Sequence, residues 1–518
     1  MNTSREGKKI YLGRAVLSGT VASLIMLLVI LYARYSLGVG ATFELIADRI
    51  APLIPVMLFG KIIGIVGGYT PLKELGVISV LVAQTIVGIV GGIIFGRLFS
   101  LRDERPRAAI TFLVIFVAGL WLLSMFLLWP VLGSQYRGAP AKTGVWETAF
   151  TLLCAYAAYG LTILLGYGAL SSGRAEPEGS GAVMTARGAF LLPIVGVLAA
   201  CGAGVLLRKL FGVSTIGYDG TQYKGADVRS ITPNDRFYVV TKNVLDPAVS
   251  RDAWQLDIDG LVGRPRTYRF ADLTALPSIR QETTLMCISN EVGAGLMSNA
   301  VWKAVPLRTL LGAAAPKSGI AKVVFHAADS YSDTIDFEKA MNPTTLVAYE
   351  MNGAELPAHH GYPVRMIVPG LFGEKSVKWL RRIELTERDA KGFYQQQGWG
   401  PSFVTPTHSR IDAPSAGSPL AAGKAAELRG IAFAGDRGVS GVEVSTSGGT
   451  TWRRAQIVYP GTRLTWVLWR YDWRPEKPGR YDLAVRATDG MGNVQTASVR
   501  GTEPQGSTGY HHLDIRVV

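Results

Sequence analysis

The 518 residues are 48% hydrophobic and carry 53 Lys and Arg against 39 Asp and Glu, a net charge of +14. Residues 1–213 hold 18 basic and 9 acidic side chains with no His, whereas residues 214–518 hold 35 and 30 with all six His, so the first part has a membrane-like texture and the second a globular one. Three cysteines with no CxxC, zinc or c-type haem spacing exclude a disulfide scaffold, and a basic excess placed on loops between apolar runs reads as membrane orientation and not nucleic-acid binding.

Six runs approach the ~20 apolar residues that cross a bilayer: about Ala15–Leu37, Ile50–Gly68, Leu75–Leu98, Ala108–Leu132, Val145–Leu170 and Gly188–Leu207. They predict an N-terminal α-helical transmembrane bundle of five or six spans, in contact with lipid. The second run starts at Asp48 and Arg49 and is interrupted by Pro52, Pro55, Gly60, Lys61 and Gly64, so it reads as a span or as a re-entrant or interfacial segment. With Arg5, Lys8, Lys9 and Arg14 inside, six crossings put Arg97, Arg102, Arg105 and Arg107 outside, against the basic bias of cytoplasmic loops. Five crossings bring that loop and the Ser171–Arg187 loop inside and leave the globular part outside the cell membrane; six leave it cytoplasmic. Asp48, Arg49, Lys61 and Glu147 lie near run ends or in the broken run, which favours snorkelling over an ion path.

Residues 214–234 are polar and read as a linker. Over residues 235–404, short β-branched or aromatic runs such as Phe237–Val240 and Lys322–Phe325 alternate with helix-like stretches such as Leu307–Leu311, predicting an α+β domain. Residues 405–518 read as strands and turns only. Gly441–Ser447, the turn Gly448-Gly449 and Thr450–Val458 form a hairpin pattern, and Tyr481, Leu483, Val485 and Ala487 alternate on one strand face. An immunoglobulin-like β-sandwich fits this spacing, without the Cys…Trp…Cys signature of antibody domains. Trp302, Trp379, Trp452, Trp466, Trp469 and Trp473 read as core residues ahead of a carbohydrate-stacking surface.

Cys287 follows a strand and precedes Ser289, Asn290, Glu291, Gly293 and Gly295. A buried core cysteine is one reading, and a ligand or nucleophile on a polar loop is the other. His359, His360 and Arg365 precede a short apolar strand, and a Gly370…Gly373 loop then leads to Lys375, Ser376 and Lys378. Cations among glycines suit an anion cradle, while a hairpin with solvated charges is the plainer account. On a strand the two adjacent histidines would point to opposite sides and make a poor metal pair. No GxGxxG or GxxxxGK[ST] pattern occurs.

These stretches resemble the sulfite-oxidase superfamily of molybdopterin-dependent oxidoreductases over roughly residues 230–518. The resemblance is carried by Phe237–Pro247, Met286–Glu291, Ser298–Trp302, Phe325–Asp333, His360–Arg365 and Ser376–Leu380, and in the β-rich tail by Arg429–Ala432, Val442–Ser445 with Gly448–Trp452, and Arg486–Asp489 with Gly492. It implies a sulfite-oxidase-like molybdopterin domain, a molybdenum–molybdopterin cofactor and a tail domain that pairs two protomers. It implies that Cys287 is the thiolate ligand to molybdenum, and that Lys242, Asn243, Asp329, His360, Arg365, Ser376, Val377 and Lys378 contact the pterin or its phosphate. A soft metal suits a soft thiolate, and a buried phosphate suits Arg, Lys and backbone donors.

One departure concerns the substrate, a small molecule. Sulfite-oxidising members carry Cys-Ala-Gly-Asn-Arg, whereas here Asn290 is followed by Glu291 and Val292. An acidic residue there would repel an anion, which makes a sulfoxide or an N-oxide more attractive than sulfite. Arg187-Gly188-Ala189-Phe190-Leu191 looks like a degraded twin-arginine signal. With no haem, flavin or iron–sulfur motif in these residues, electrons are expected to pass through a separate cytochrome or quinone-linked protein. The alternative from another class is a membrane-anchored binding module with a non-catalytic cofactor fold.

Overall fold

The computed structural model describes residues 2–100, 106–171, 181–212 and 214–518. Arg102 and Arg105, and residues 172–180 of the Ser171–Arg187 loop, lie outside the described residues. The chain divides into two compact units, one of Met1–Ala51, Ile62–Ser214 and Asn243–Ala248, the other of Pro52–Lys61, Thr215–Lys242 and Val249–Val518.

The first unit is helical. In chain order the helices are α1 (Asn2–Leu37), α2 (Thr42–Ile50), α3 (Val56–Val66), α4 (Tyr69–Ser100), α5 (Pro106–Leu128), α6 (Ala141–Ser171) and α7 (Gly181–Phe211). Five segments, Leu12–Leu37, Tyr69–Phe99, Arg107–Val131, Ala141–Gly166 and Phe190–Phe211, are long and apolar enough to cross a membrane. The second apolar run makes no such helix. It breaks between Ala51 and Pro55, and α3 has 11 residues, about 16 Å at 1.5 Å per residue against a hydrocarbon core of about 30 Å.

α1 packs against α4, α6 and α7. It approaches α4 closely because both lack side chains at the crossing. A methyl on Gly92 would stand 2.7 Å from the Ala15 carbonyl and 2.8 Å from the Gly19 Cα, and one on Gly88 would strike Ser23. Gly88 and Gly92 form the small-xxx-small spacing that lets helix backbones meet. Near the end of α1, Arg34 makes a buried ion pair with Glu44 at 2.8 Å, and Glu44 also accepts from the Ala41 N–H at the start of α2. The segment Asn243–Ala248 is held in this unit: Leu245 is fully buried in its apolar cluster, and Lys73 Nζ donates to the Asn243 carbonyl at 2.6 Å.

The second unit contains two sheets that position the site. Its first strands are β1 (Gln255–Gly260), β2 (Arg266–Arg269), β3 (Ile279–Met286), β4 (Met297–Pro306), β5 (Lys322–Ala327), β6 (Ser332–Asp336), β7 (Leu346–Met351), β8 (Ala354–Glu355), β9 (Arg365–Ile367) and β10 (Leu380–Thr386). One sheet has the order β2-β1-β10-β5-β6, with β1 and β10 parallel and the other pairs antiparallel. The other has β3-β4-β7-β8 with β9 added on β7. Trp254, Phe325, Leu380 and Ile383 lie in the core of the first sheet, under the helix Leu307–Ala314 that the apolar spacing predicts. The β3–β4 hairpin ends at the pair Met286↔Met297, so residues 287–296 are a loop at one end of the second sheet. The chain passes from β9 in one sheet to β10 in the other, which puts residues 368–379 on a connection between them.

Phe237–Val240 is not a strand. Phe237, Tyr238 and Val239 are buried, and the Tyr238 N–H donates at 3.1 Å to the Ser298 hydroxyl of β4 instead of to a backbone carbonyl of a strand ladder.

Residues 408–518 form two four-stranded sheets whose apolar faces share one cluster, including Leu428, Val442, Trp469, Leu483 and Ile515. The Gly448-Gly449 turn does join two paired strands, in the register Glu443↔Arg454. Thr450–Val458 is not one strand, however: Arg453–Arg454 pairs in one sheet, and Gln456–Tyr459 crosses to the other beside Val467–Trp473. Five of the six tryptophans named above are buried; Trp452 is half-buried, under the Arg486 guanidinium and against Tyr510.

Candidate functional site

Cys287 is the first residue after β3. Its N–H donates to the Leu296 carbonyl at 2.9 Å and its own carbonyl accepts from Asn290 N–H at 3.0 Å, which folds the loop back on itself. Asn290 Oδ1 accepts from Leu296 N–H, and Ser507 Oγ donates to the Asn290 carbonyl at 2.7 Å, so the C-terminal sheets help fix the loop. Cys287 is 9% exposed. Burial pushes it up to about 11, hydrogen bonds from Ser289 pull it down, and the charges of Glu374 and Asp219 raise it further. Glu291 is solvent-exposed, so water screens its charge from the site.

Arg365 opens β9 and is buried beside the Trp302 ring, 5.1 Å from its centroid. Its guanidinium donates to the His360 carbonyl at 2.9 Å and the Ser376 carbonyl at 3.0 Å, joining two of the sequence-predicted stretches. Burial lowers it only to about 10, so it stays cationic at neutral pH. Ser376 Oγ accepts from Val368 N–H, and the Val377 carbonyl accepts from Met366 N–H. Lys378 Nζ donates to the His359 carbonyl at 3.1 Å, and Lys242 Nζ to the Asp329 carbonyl at 2.8 Å. Ser330 and Trp379, next to Asp329 and Lys378, both hold positive φ (63° and 49°), a strained backbone of the kind found at ligand clamps. Asn243 is the exception among the nine positions, since its packing belongs to the helical unit.

The two histidines do not sit on a strand. They share the single 3-10 turn Ala358–His360, with ring centroids 4.3 Å apart. His360 is buried and its Nε2 donates to the Asn234 carbonyl at 2.8 Å. Desolvation, then the neighbouring cations, hold it down to about 2, so it is neutral. Among the described residues no group of three or more His, Cys, Asp or Glu could hold a metal ion.

The sequence does not single out Tyr238, Tyr331 and Asp333, and it marks Lys375 only as one cation of an anion cradle. Tyr238 packs in one cluster with Cys287 and lies within electrostatic reach of Cys287, Arg365 and Glu374; burial raises its phenol. Gly373 leaves room for it, since a side chain there would run into the Tyr238 hydroxyl and stand 3.3 Å from the Met286 carbonyl. Beyond it, Lys375 and Asp333 form a buried ion pair at 2.5 Å, with the Tyr331 hydroxyl donating to Asp333 at 2.8 Å. Burial pushes Asp333 up against the pull of Lys375. Only the spacing of acids and bases in Ser330–Asp333 and Glu374–Lys375 hints at this, and that pattern also fits a solvated surface.

Two family models match the chain: an oxidoreductase molybdopterin-binding domain over residues 243–394 and a Mo-co oxidoreductase dimerisation domain over residues 403–517. Sulfite oxidase of Gallus gallus is 32% identical over 320 residues, 52% of this chain and 69% of that protein. An NADH nitrate reductase of Solanum lycopersicum is 30% identical over 51% of this chain and 36% of its own length. Among solved structures, the sulfane dehydrogenase SoxCD from Paracoccus pantotrophus aligns with a TM-score of 0.50 at 25% identity, covering 56% of this chain and 82% of that one. These relatives imply a molybdenum cofactor, and the residues present fit it. A single buried thiol suits a soft metal. The buried guanidinium, the lysines and the strained loops suit a pterin phosphate.

Arg365→Ala leaves two buried carbonyls without their donor, at about 1–3 kcal/mol each. Pterin content per chain should fall severalfold in the purified variant, with Arg365→Lys between it and the native protein. Full pterin in the alanine variant would remove Arg365 from the cradle.

Proposed function

Because the chain belongs to the sulfite oxidase family of molybdopterin-dependent oxidoreductases, we propose that it is a membrane-bound enzyme transferring an oxygen atom to or from a small molecule, with Cys287 as its only ligand to molybdenum. The observation that carries this reading is the Cys287 loop: one buried thiol at the end of a rigid hairpin, facing Tyr238 and the loop of Glu374. The cofactor supplies two-electron chemistry and oxygen-atom transfer when bound. Arg365, His360, Ser376, Val377, Lys378, Lys242 and Asp329 would hold and orient it, and Tyr238 and Tyr331 would shape the pocket. A sulfoxide, an N-oxide or a sulfite-like compound is the substrate class. Electrons travel through a separate cytochrome or quinone-linked protein.

The same reading assigns residues 1–213 to a transmembrane bundle, 214–234 to a linker, 235–404 to the cofactor domain and 405–518 to an immunoglobulin-like sandwich that pairs two protomers. The five long apolar helices support five crossings and a catalytic domain outside the cell membrane.

Purified protein should contain about one molybdenum and one molybdopterin per chain; protein that folds and dimerises without either would be a binding module. Alkaline phosphatase fused after Val518 should be active in cells. A fusion that fluoresces as green fluorescent protein and lacks phosphatase activity would place the catalytic domain inside.

A further inference from the structure

Residues 287–296 join β3 to β4. Their internal bonds, from Cys287 N–H to the Leu296 carbonyl and from Leu296 N–H to Asn290 Oδ1, close the loop without fixing where it stands. The ties that do so come from two directions. The Tyr223 N–H donates to the Gly295 carbonyl at 2.8 Å, and Gln222 Oε1 accepts from the Gly295 N–H at 3.1 Å. From the C-terminal residues, Ser507 reaches the Asn290 carbonyl and Arg410 the Ala294 carbonyl. Both approaches are too close for a side chain on the loop. A methyl on Gly293 would run into the His511 ring, and one on Gly295 would stand 2.9 Å from the Tyr223 nitrogen.

Arg410, on the strand His408–Ala413, touches both sets of ties. It is 2% exposed and divides its donors three ways: to the Ala294 carbonyl at 2.9 Å, the Tyr223 carbonyl at 2.8 Å and the Asp412 carboxylate at 2.8 Å. Asp412 in turn accepts from the Gly225 N–H at 2.9 Å. A planar guanidinium can meet carbonyls of two segments and a carboxylate at once, whereas an ammonium is a point donor. Stability alone does not account for the arrangement, because apolar side chains of similar volume often serve folding as well as a buried ion pair does. What the ion pair adds is direction: it fixes the Ala294 and Tyr223 carbonyls against one strand.

Resting on the reading above, in which Cys287 is the only protein ligand to molybdenum, we infer that Arg410 is a positioning residue that sets the orientation of the Cys287 loop, and so of the thiolate, without touching the cofactor. The path is short, since Ala294 stands two residues before Leu296, whose carbonyl holds the Cys287 N–H. A metal with one protein bond takes its orientation from that bond, and groups that hold the ligand tune the metal through it.

Three variants of the full chain test this. Arg410→Lys keeps the charge beside Asp412 and loses the fork. Arg410→Met with Asp412→Asn removes both charges and leaves Gly225 its acceptor. Cys287→Ser is the reference. Each is assayed for folding, molybdenum, pterin, amide exchange of residues 287–296 and the Mo(V) paramagnetic signal. Both Arg410 variants should fold and keep native molybdenum and pterin. Their loop amides should exchange roughly tenfold faster, as expected for one lost hydrogen bond, and their Mo(V) signal should broaden with shifted g-values. A native signal or native loop exchange in either folded variant would overturn the assignment. So would loss of pterin from a folded variant, which would put Arg410 in the binding of the cofactor, or failure of both variants to fold, which would leave it a structural role alone. Cys287→Ser separates the outcomes: a signal that moves there and not in the Arg410 variants sinks only the role of Arg410. A signal that moves in none sinks Cys287 as the ligand too, and metal-free native protein sinks the oxidoreductase reading.

Discussion

The constraint on which the site depends is a thiol that cannot ionise by itself. Cys287 is buried at the end of β3 and held up to about 11, by burial first, with Glu374 and Asp219 also raising it against hydrogen bonds from Ser289. A thiolate is stable there only against a strong positive charge. The proposed molybdenum would supply that charge, whereas a nucleophilic cysteine would need a standing cation beside it.

The cationic groups have a different task. Arg365 and Lys378 reach backbone carbonyls of the 3-10 turn at His360 and of the Ser376 stretch, and Lys242 reaches the turn after β5. They tie loops of two sheets into one rim. The sheets make this possible because β9 belongs to one and β10 to the other, so the intervening loop must pass between them. The C-terminal residues also hold the Cys287 loop, through Ser507 and through Arg410, which donates to the Ala294 carbonyl at 2.9 Å. The tail sheets are thus part of what holds the Cys287 loop.

Much of this was readable from the chain because the signals were local. Apolar runs, the strand before Cys287 and the helix at Leu307 all depend on neighbours a few residues apart. The Gly88–Gly92 spacing was equally local, and it announces the close approach to α1. Other features depend on partners far along the chain. Phe237–Val240 has strand composition but joins no sheet ladder, its Tyr238 N–H going to a side chain of β4. Thr450–Val458 is divided between two sheets by a crossing that no short window reveals. Glu374 looked like an ordinary charge in a glycine loop; its burial comes from Tyr238, Tyr331 and Asp333, up to 136 positions away. Glu291, one residue past Asn290, looked decisive and is solvent-exposed.

The most direct test of Cys287 as the metal's thiolate is X-ray absorption at the molybdenum edge, comparing native protein with Cys287→Ser. The fitted number of sulfur neighbours should be one lower in the serine variant, with an oxygen or nitrogen shell grown in its place. Equal sulfur counts in the two proteins would show that Cys287 does not bind the metal.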